Sequence, residues 1–181
     1  MPHGPEVVLR TSYPFEGRIV RVRVEEVQLP SGRLATREIV EHRGAVAMVP
    51  VTEDGHLLLV RQYRRALDAW TLEIPAGTLE EGESVEACLE RELAEEIGME
   101  AGRIEPLVSF FPSPGFLTER VSVYLCTDLR PRPSGGGDEE GMQVVRIQLD
   151  KARALIGQEI FDAKSIIGVL LASERLRSRN G

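Results

Sequence analysis

Between residues 18 and 24, Val20, Val22 and Val24 alternate with arginines, and a period of two marks a strand with one buried face. Pro30-Ser31-Gly32 is turn chemistry, and a second β-rich run over 34–40 follows it, so the chain is expected to open with an antiparallel hairpin. Runs 45–51 and 56–63 are rich in apolar strand formers and flank Glu53-Asp54-Gly55, a hairpin-turn tripeptide, while 70–74 is a short strand stopped at Pro75. Residues 83–97 contain neither Gly nor Pro and consist of strong helix formers, with Ser84 placed as a cap and Gly98 as a stop. Further on, 108–111, 121–125 and 144–149 read as strands, and 150–156 and 163–177 as helices. Strands and helices interleave with no linker or repeat, which predicts one mixed α/β domain. The Pro- and Gly-rich stretch 130–141 disfavours regular structure and reads either as a plain connecting loop or, since it ends in three consecutive acids, as a lid.

Composition narrows the function. At 181 residues, with 42% hydrophobic and 28% charged residues, the chain is long enough to bury a core without staples. With 22 basic against 29 acidic residues the net charge is −7, which argues against nucleic acid or an anionic membrane as partner. An anionic substrate would therefore need a local basic pocket. Nearly all the basic residues are arginines, the better phosphate ligand, lysine occurring only as Lys151 and Lys164; an arginine-rich codon usage would give the same count. Cys88 and Cys126 are too few for a disulfide framework or zinc cluster and are expected to be reduced core thiols. The N-terminus has no apolar signal core and no run is long enough for a membrane span, so a cytoplasmic location is expected.

The chemistry concentrates on the 83–97 helix. At 100° per residue, Val85, Leu89, Glu92 and Glu96 fall within about 60° of one another, with Cys88 and Glu95 on one flank. A charged run on a helix is usually a solvated face, yet Glu92 and Glu96 continue the stripe that Val85 and Leu89 must bury. Inward carboxylates at a spacing of four repel, so a cation is expected among them, and all-oxygen donors favour a hard ion such as Mg²⁺ or Mn²⁺. Arg91, four residues before Glu95, is the nearest helical partner for it.

Gly77, five residues, Glu83, seven residues, then Arg91-Glu92-Leu93-Ala94-Glu95-Glu96-Ile97-Gly98-Met99 resembles the Nudix box at every specified position. Around it, Arg61-Gln62-Tyr63-Arg64, Trp70, Leu72-Glu73-Ile74-Pro75-Ala76-Gly77 and Ser113-Pro114-Gly115-Phe116 are similar to the Nudix ADP-ribose pyrophosphatases, and 37–42 resembles their N-terminal region. The resemblance implies an α/β/α sandwich with a mixed sheet, residues 43–181, preceded by an N-terminal antiparallel hairpin region, 1–42, that contributes to a homodimer. It also implies a hydrolase that splits the diphosphate bond of ADP-ribose with Mg²⁺, other divalent cations such as Mn²⁺ substituting. The alternatives are the same chemistry on another nucleoside diphosphate derivative (an ADP-sugar, GDP-mannose, NADH or a diadenosine polyphosphate) or a non-catalytic ADP-ribose-binding module.

By the same resemblance, Glu92, Glu96, Glu95 and the carbonyl of Ala76 are the expected metal ligands. Gly77, Glu83, Arg91 and Gly98 are expected to be structural within the motif. The catalytic set is Glu140 as general base, with Glu139 as the alternative register, and Glu95. Arg37, Glu38, Arg61, Arg64, Gly115 and Glu119 are the candidates for holding adenine, ribose and phosphates, although arginines such as Arg61 and Arg64 also serve as ordinary solvated surface residues.

Overall fold

A computed structural model describes residues 5–132 and 141–180 of the chain. Among the described residues the chain divides into two units, one holding residues up to Gly44 together with Phe111–Arg120, the other holding Ala45–Phe110 and what is described from Val121 onward.

The first unit is an antiparallel three-stranded sheet in the order β1-β2-β3, made of β1 (Val7–Glu16), β2 (Arg21–Gln28) and β3 (Leu34–Glu41). The expected hairpin is its β2–β3 half, with Gly32 at φ 80° closing the turn. β1 was not expected. Its Pro14 disrupts the alternation, but β1 is an edge strand and the register shift between Ser12 and Phe15 accommodates a residue that cannot donate to the ladder. The 111–120 segment joins this unit through Val40, whose N–H donates to Phe116 O at 2.7 Å and whose carbonyl accepts from Thr118 N at 3.0 Å.

The second unit holds two sheets. β4 (Ala45–Pro50) lies at the heart of the first, in the order β7-β4-β9-β8, parallel to β9 (Val121–Pro131) and antiparallel to β7 (Ala76–Thr78). β8 (Met99–Phe110) closes that sheet's far edge, antiparallel to β9. The second sheet runs β10-β5-β6, with β5 (His56–Arg64) between β6 (Ala69–Glu73) and β10 (Gln143–Gln148). Because β4 and β5 are covered on both faces, their side chains feed two cores in alternation. Val46, Met48, Leu58 and Val60 pack under Cys88, Leu89, Leu93 and Ile97 of α1 (Val85–Ile97). Ala47, Val49, Leu57 and Leu59 join the core under α2 (Leu149–Ala154) and α3 (Ala163–Asn180). The result is the expected helix, mixed-sheet, helix layering.

Two expected boundaries move. The strand expected over 108–111 extends back to Met99, because Pro106 falls at a register shift on an edge strand, where a missing N–H is tolerated. Arg130 and Pro131, expected to be irregular, instead pair with Glu100 and Met99 at the end of β9. Glu139 and Glu140 lie outside the described residues.

Candidate active site

α1 begins where Ser84 Oγ accepts from Ala87 N–H at 3.1 Å and ends where Gly98, at φ 64°, turns its N–H back to Ala94 O at 3.1 Å. With both ends set, the apolar stripe through Leu89 and Leu93 fixes the helix's rotation against β4 and β5, and that rotation carries Glu92 and Glu96 inward while Glu95 stays exposed.

Beneath them runs the short segment after Pro75. Ala76 N–H donates to Glu96 Oε2 at 2.9 Å, so the carboxylate of α1 is latched to the backbone of β7. Glu92 lies directly over Gly77, where a Cβ would sit 1.8 Å from its carboxyl carbon and from Oε1. Only a residue without a side chain leaves Glu92 where it is. Burial pushes the Glu96 carboxyl up to about 8, with Glu92 adding to the rise and the Ala76 N–H, Lys164 and Arg64 opposing it. Burial raises Glu92 too, against the pull of Arg91. Two carboxyls that resist ionising side by side are a site prepared for a cation.

Arg91 binds three acids at once. Its Nε and Nη2 hold Glu83 at 2.9 and 3.0 Å, and Nη1 reaches Glu92 at 2.6 Å and Glu95 at 3.1 Å. Glu83 also accepts from Glu80 N–H at 3.0 Å, and the Arg91 guanidinium is the main cause holding its carboxyl down at about 2. Arg91 thus ties the loop before α1 to the carboxylate row while Glu96 remains outside its reach.

A second charged cluster joins the candidate Arg64 to Glu73 and Lys164, two residues to which sequence reasoning assigned no role. Glu73, buried at the end of β6, accepts Arg64 Nε at 2.8 Å on one oxygen and Arg64 Nη2 at 2.7 Å on the other. Thr71 Oγ1 adds a bond at 2.6 Å, and Lys164 from the first turn of α3 donates to Glu73 as well as to Asp162 at 2.9 Å. Burial alone would raise the Glu73 carboxyl, but Arg64, Lys164 and Thr71 together bring it down to about 2. Ser165 Oγ accepts from Ile74 N–H at 2.9 Å, so α3 grips the strand leading into Ala76. The available signals were Glu73 within the quoted Leu72–Gly77 stretch and Lys164 as one of two lysines in the chain.

The remaining candidates are placed as follows. Arg61 pairs with Glu159 at 2.7 Å, both partly exposed. In the first unit, Arg37 grips Glu6 with Nε at 3.1 Å and Nη2 at 2.5 Å, Glu38 is exposed on β3, Gly115 is exposed, and Glu119 lies 3.6 Å from His42 Nδ1.

Comparison with known proteins gives this geometry its setting. The NUDIX domain model matches residues 41–166, and the nucleoside diphosphate sugar hydrolase N-terminal domain model matches residues 6–40. The chain belongs to the Nudix family. This Nudix chain is 38% identical to a methanol dehydrogenase activator of Bacillus methanolicus over 167 residues, 91% of its own length and 90% of that protein's. It is also 38% identical to an ADP-ribose pyrophosphatase of Bacillus subtilis over 158 residues, 86% of this chain and 85% of that one. A solved structure described as an ADP compounds hydrolase superposes with a TM-score of 0.86, covering 97% of this chain and 96% of the other; at 24% identity this speaks for the fold alone. No helix among the described residues is long and apolar enough to cross a membrane.

Nudix hydrolases generally work with divalent cations, and the donors here fit one. Glu92, paired with Arg91, and Glu96, which Arg91 does not reach, are inward carboxylates, and their oxygens suit a hard ion. Among the described residues no three His, Cys, Asp or Glu side chains converge into a complete cage.

Proposed function

We propose that this Nudix hydrolase cleaves the diphosphate bond of ADP-ribose, giving AMP and ribose 5-phosphate, with Mg²⁺ as its cation and Mn²⁺ able to substitute. The observation that carries the reading is the inward pair Glu92 and Glu96 over Ala76-Gly77, in a chain 38% identical to an ADP-ribose pyrophosphatase across 86% of its length.

Glu92, Glu96 and the Ala76 carbonyl would hold the cation, with Glu95 at the rim. When bound, it neutralises charge on the diphosphate oxygens. Arg64 and Arg61, with Arg37, Glu38, Gly115 and Glu119, hold and orient the substrate, the arginine forks suiting its phosphates. Water attacks one phosphorus, the bridging P–O bond breaks, and the water proton passes to Glu140, or to Glu139 if the register shifts by one. Glu83 and Arg91 keep the carboxylate row in place throughout.

The N-terminal region, 1–42, is assigned to a homodimer and 43–181 to catalysis. Every position of β1 is exposed, including Val7, Val8, Leu9 and Phe15, and a strand edge of that character calls for a cover. The cytoplasm suits a chain whose two cysteines are buried free thiols.

A substrate panel with Mg²⁺, following AMP and phosphate release from ADP-ribose, NADH, ADP-glucose, GDP-mannose and diadenosine polyphosphates, tests the reading. ADP-ribose should give the highest kcat/KM, and a much higher value for GDP-mannose or NADH would refute the substrate. Light scattering at micromolar concentration should report a dimer, and a monomer would refute the assembly.

A further inference from the structure

α3 lies closer to the strand leading into the site than a helix with a side chain at every position could. A Cβ on Gly168 would sit 2.9 Å from Val49 Cγ2, 3.0 Å from Ile74 Cδ1 and 3.3 Å from Val123 Cγ1, nearer than carbon atoms ordinarily pack. Glycine is a poor helix former, so what it contributes inside α3 is this close approach. Ser165 stands three residues earlier, on the same face of the helix. Its side chain is short, and a helix seated this close brings its Oγ to a backbone amide of the neighbouring layer.

That amide is the Ile74 N–H, which donates to Ser165 Oγ at 2.9 Å, both residues being fully buried. A buried N–H without an acceptor is costly, and here the acceptor comes from a side chain 91 residues away. α3 therefore holds Ile74 twice, at its backbone through Ser165 and at its side chain against Gly168. The first turn of α3 is fixed in its turn, since Asp162 Oδ2 accepts from Ser165 N–H at 3.1 Å. Two residues beyond Ile74, Ala76 N–H donates to Glu96. In an extended residue the carbonyl leaves on the same side as the N–H, so the Ala76 carbonyl faces the α1 carboxylates from the free edge of its sheet. Between them stands Pro75, whose ring fixes φ and leaves little slack, so a shift at Ile74 is passed on to Ala76.

We infer that Ser165, seated by Gly168, is a positioning residue for the cation site: it holds the Ile74 amide and thereby sets where the Ala76 carbonyl lies relative to Glu92 and Glu96. The inference rests on the reading above that this carbonyl is one of the cation's ligands. It gives α3 a share in the site without any contact to cation or substrate.

A Mn²⁺ titration of the substrate-free full chain, with the free ion followed by electron paramagnetic resonance, tests it beside steady-state kinetics on ADP-ribose and thermal melts in EDTA. Ser165→Ala leaves the Ile74 amide without its acceptor and should weaken Mn²⁺ binding about tenfold and lower kcat by a similar factor, the low end for residues that orient a metal's ligands. Ser173→Ala removes another buried hydroxyl from the same helix, one whose bond stays within α3 at 2.7 Å to Val169 O, and should keep both quantities within about twofold of wild type. A Ser165→Ala protein that melts lower but binds Mn²⁺ and turns over as wild type would overturn the inference. Equal losses in Ser173→Ala would overturn it too, since they would mark a general loosening of α3. Glu96→Gln separates the inference from the reading beneath it. Unchanged Mn²⁺ affinity in that variant would remove the cation site itself, whereas lost affinity there beside a wild-type Ser165→Ala would overturn the inference alone. Should Ser165→Ala fail to fold, Gly168→Ala carries the test: it keeps the hydroxyl but lifts the helix by a few tenths of an ångström, about a threefold loss in both quantities is expected, and wild-type values would overturn the inference.

Discussion

Replacing Gly77 by alanine should separate activity from stability more cleanly than any other single change at this site. The Gly77 backbone is not in the left-handed region, so alanine can adopt its conformation without strain. The obstacle is Glu92, whose Cδ and Oε1 would lie 1.8 Å from the new methyl and whose Cγ would lie 2.3 Å away. Ordinary carbon contacts begin at about 3.5 Å, so the carboxylate must retreat by roughly 1.7 Å. It can do so cheaply, because those atoms are the far end of a flexible side chain. The stability lost is chiefly the largely buried, charge-assisted bond to Arg91, about 1–3 kcal/mol, which for a chain of this length lowers Tm by roughly 2–12 °C. The ligand proposed for the cation, however, has left its place, and a displacement above 1 Å should cost about 10²-fold or more in kcat, with a weaker apparent affinity for Mg²⁺. Thermal melts in EDTA, kinetics at saturating ADP-ribose and a Mg²⁺ titration measure the three quantities. A Gly77→Ala enzyme within threefold of wild-type kcat would refute the placement of Glu92 at the reacting centre.

Other outcomes follow from the same geometry. Because the Glu96 carboxyl is raised to about 8 in the folded chain while an unfolded glutamate titrates near 4.5, the native state holds the extra proton between those values. Stability of the metal-free protein should therefore fall as pH rises from about 4.5 to about 8; Tm against pH in EDTA should show the slope, and Glu96→Gln should flatten it. Ser84→Ala removes the bond to Ala87 N–H and should cost about 1 kcal/mol by chemical denaturation, with kcat unchanged. Glu140→Gln should lower kcat about 10²- to 10⁴-fold with little change in Mg²⁺ affinity, and a loss confined to Glu139→Gln would move the base by one position.

The carboxylate row was legible because a helix converts spacing into direction. Once Val85 and Leu89 must face the core, Glu92 and Glu96 follow them there, and Ser84 and Gly98 mark the ends. The strands were legible where alternation was strong and misjudged where a proline interrupted it. Pro14 and Pro106 each sit at a register shift on an edge strand, a tolerance that only the sheet order reveals. The Glu73 cluster was hidden for a different reason. Arg64 is nine residues away across a hairpin, and Lys164 is 91 residues away on another element, so no local period announces their meeting. Its acid also lies outside the helix on which the motif's charges concentrate.

The backbone under the carboxylates is held by side chains at two of its amides, in addition to its pairing with β4. Ile74 N–H ends on Ser165 of α3 and Ala76 N–H ends on Glu96 of α1, while the carbonyl of Pro75 between them receives Met48 N–H from β4. Amide hydrogen exchange at Ile74 and Ala76 therefore reads out two different helices at positions only two residues apart. Protection at Ile74 is released when the first turn of α3 opens, and protection at Ala76 when α1 lets go of β7. The three-residue span between these latches is thus the place where local openings of either helix would meet, and its exchange rates offer a measure of the site's order that needs neither substrate nor turnover.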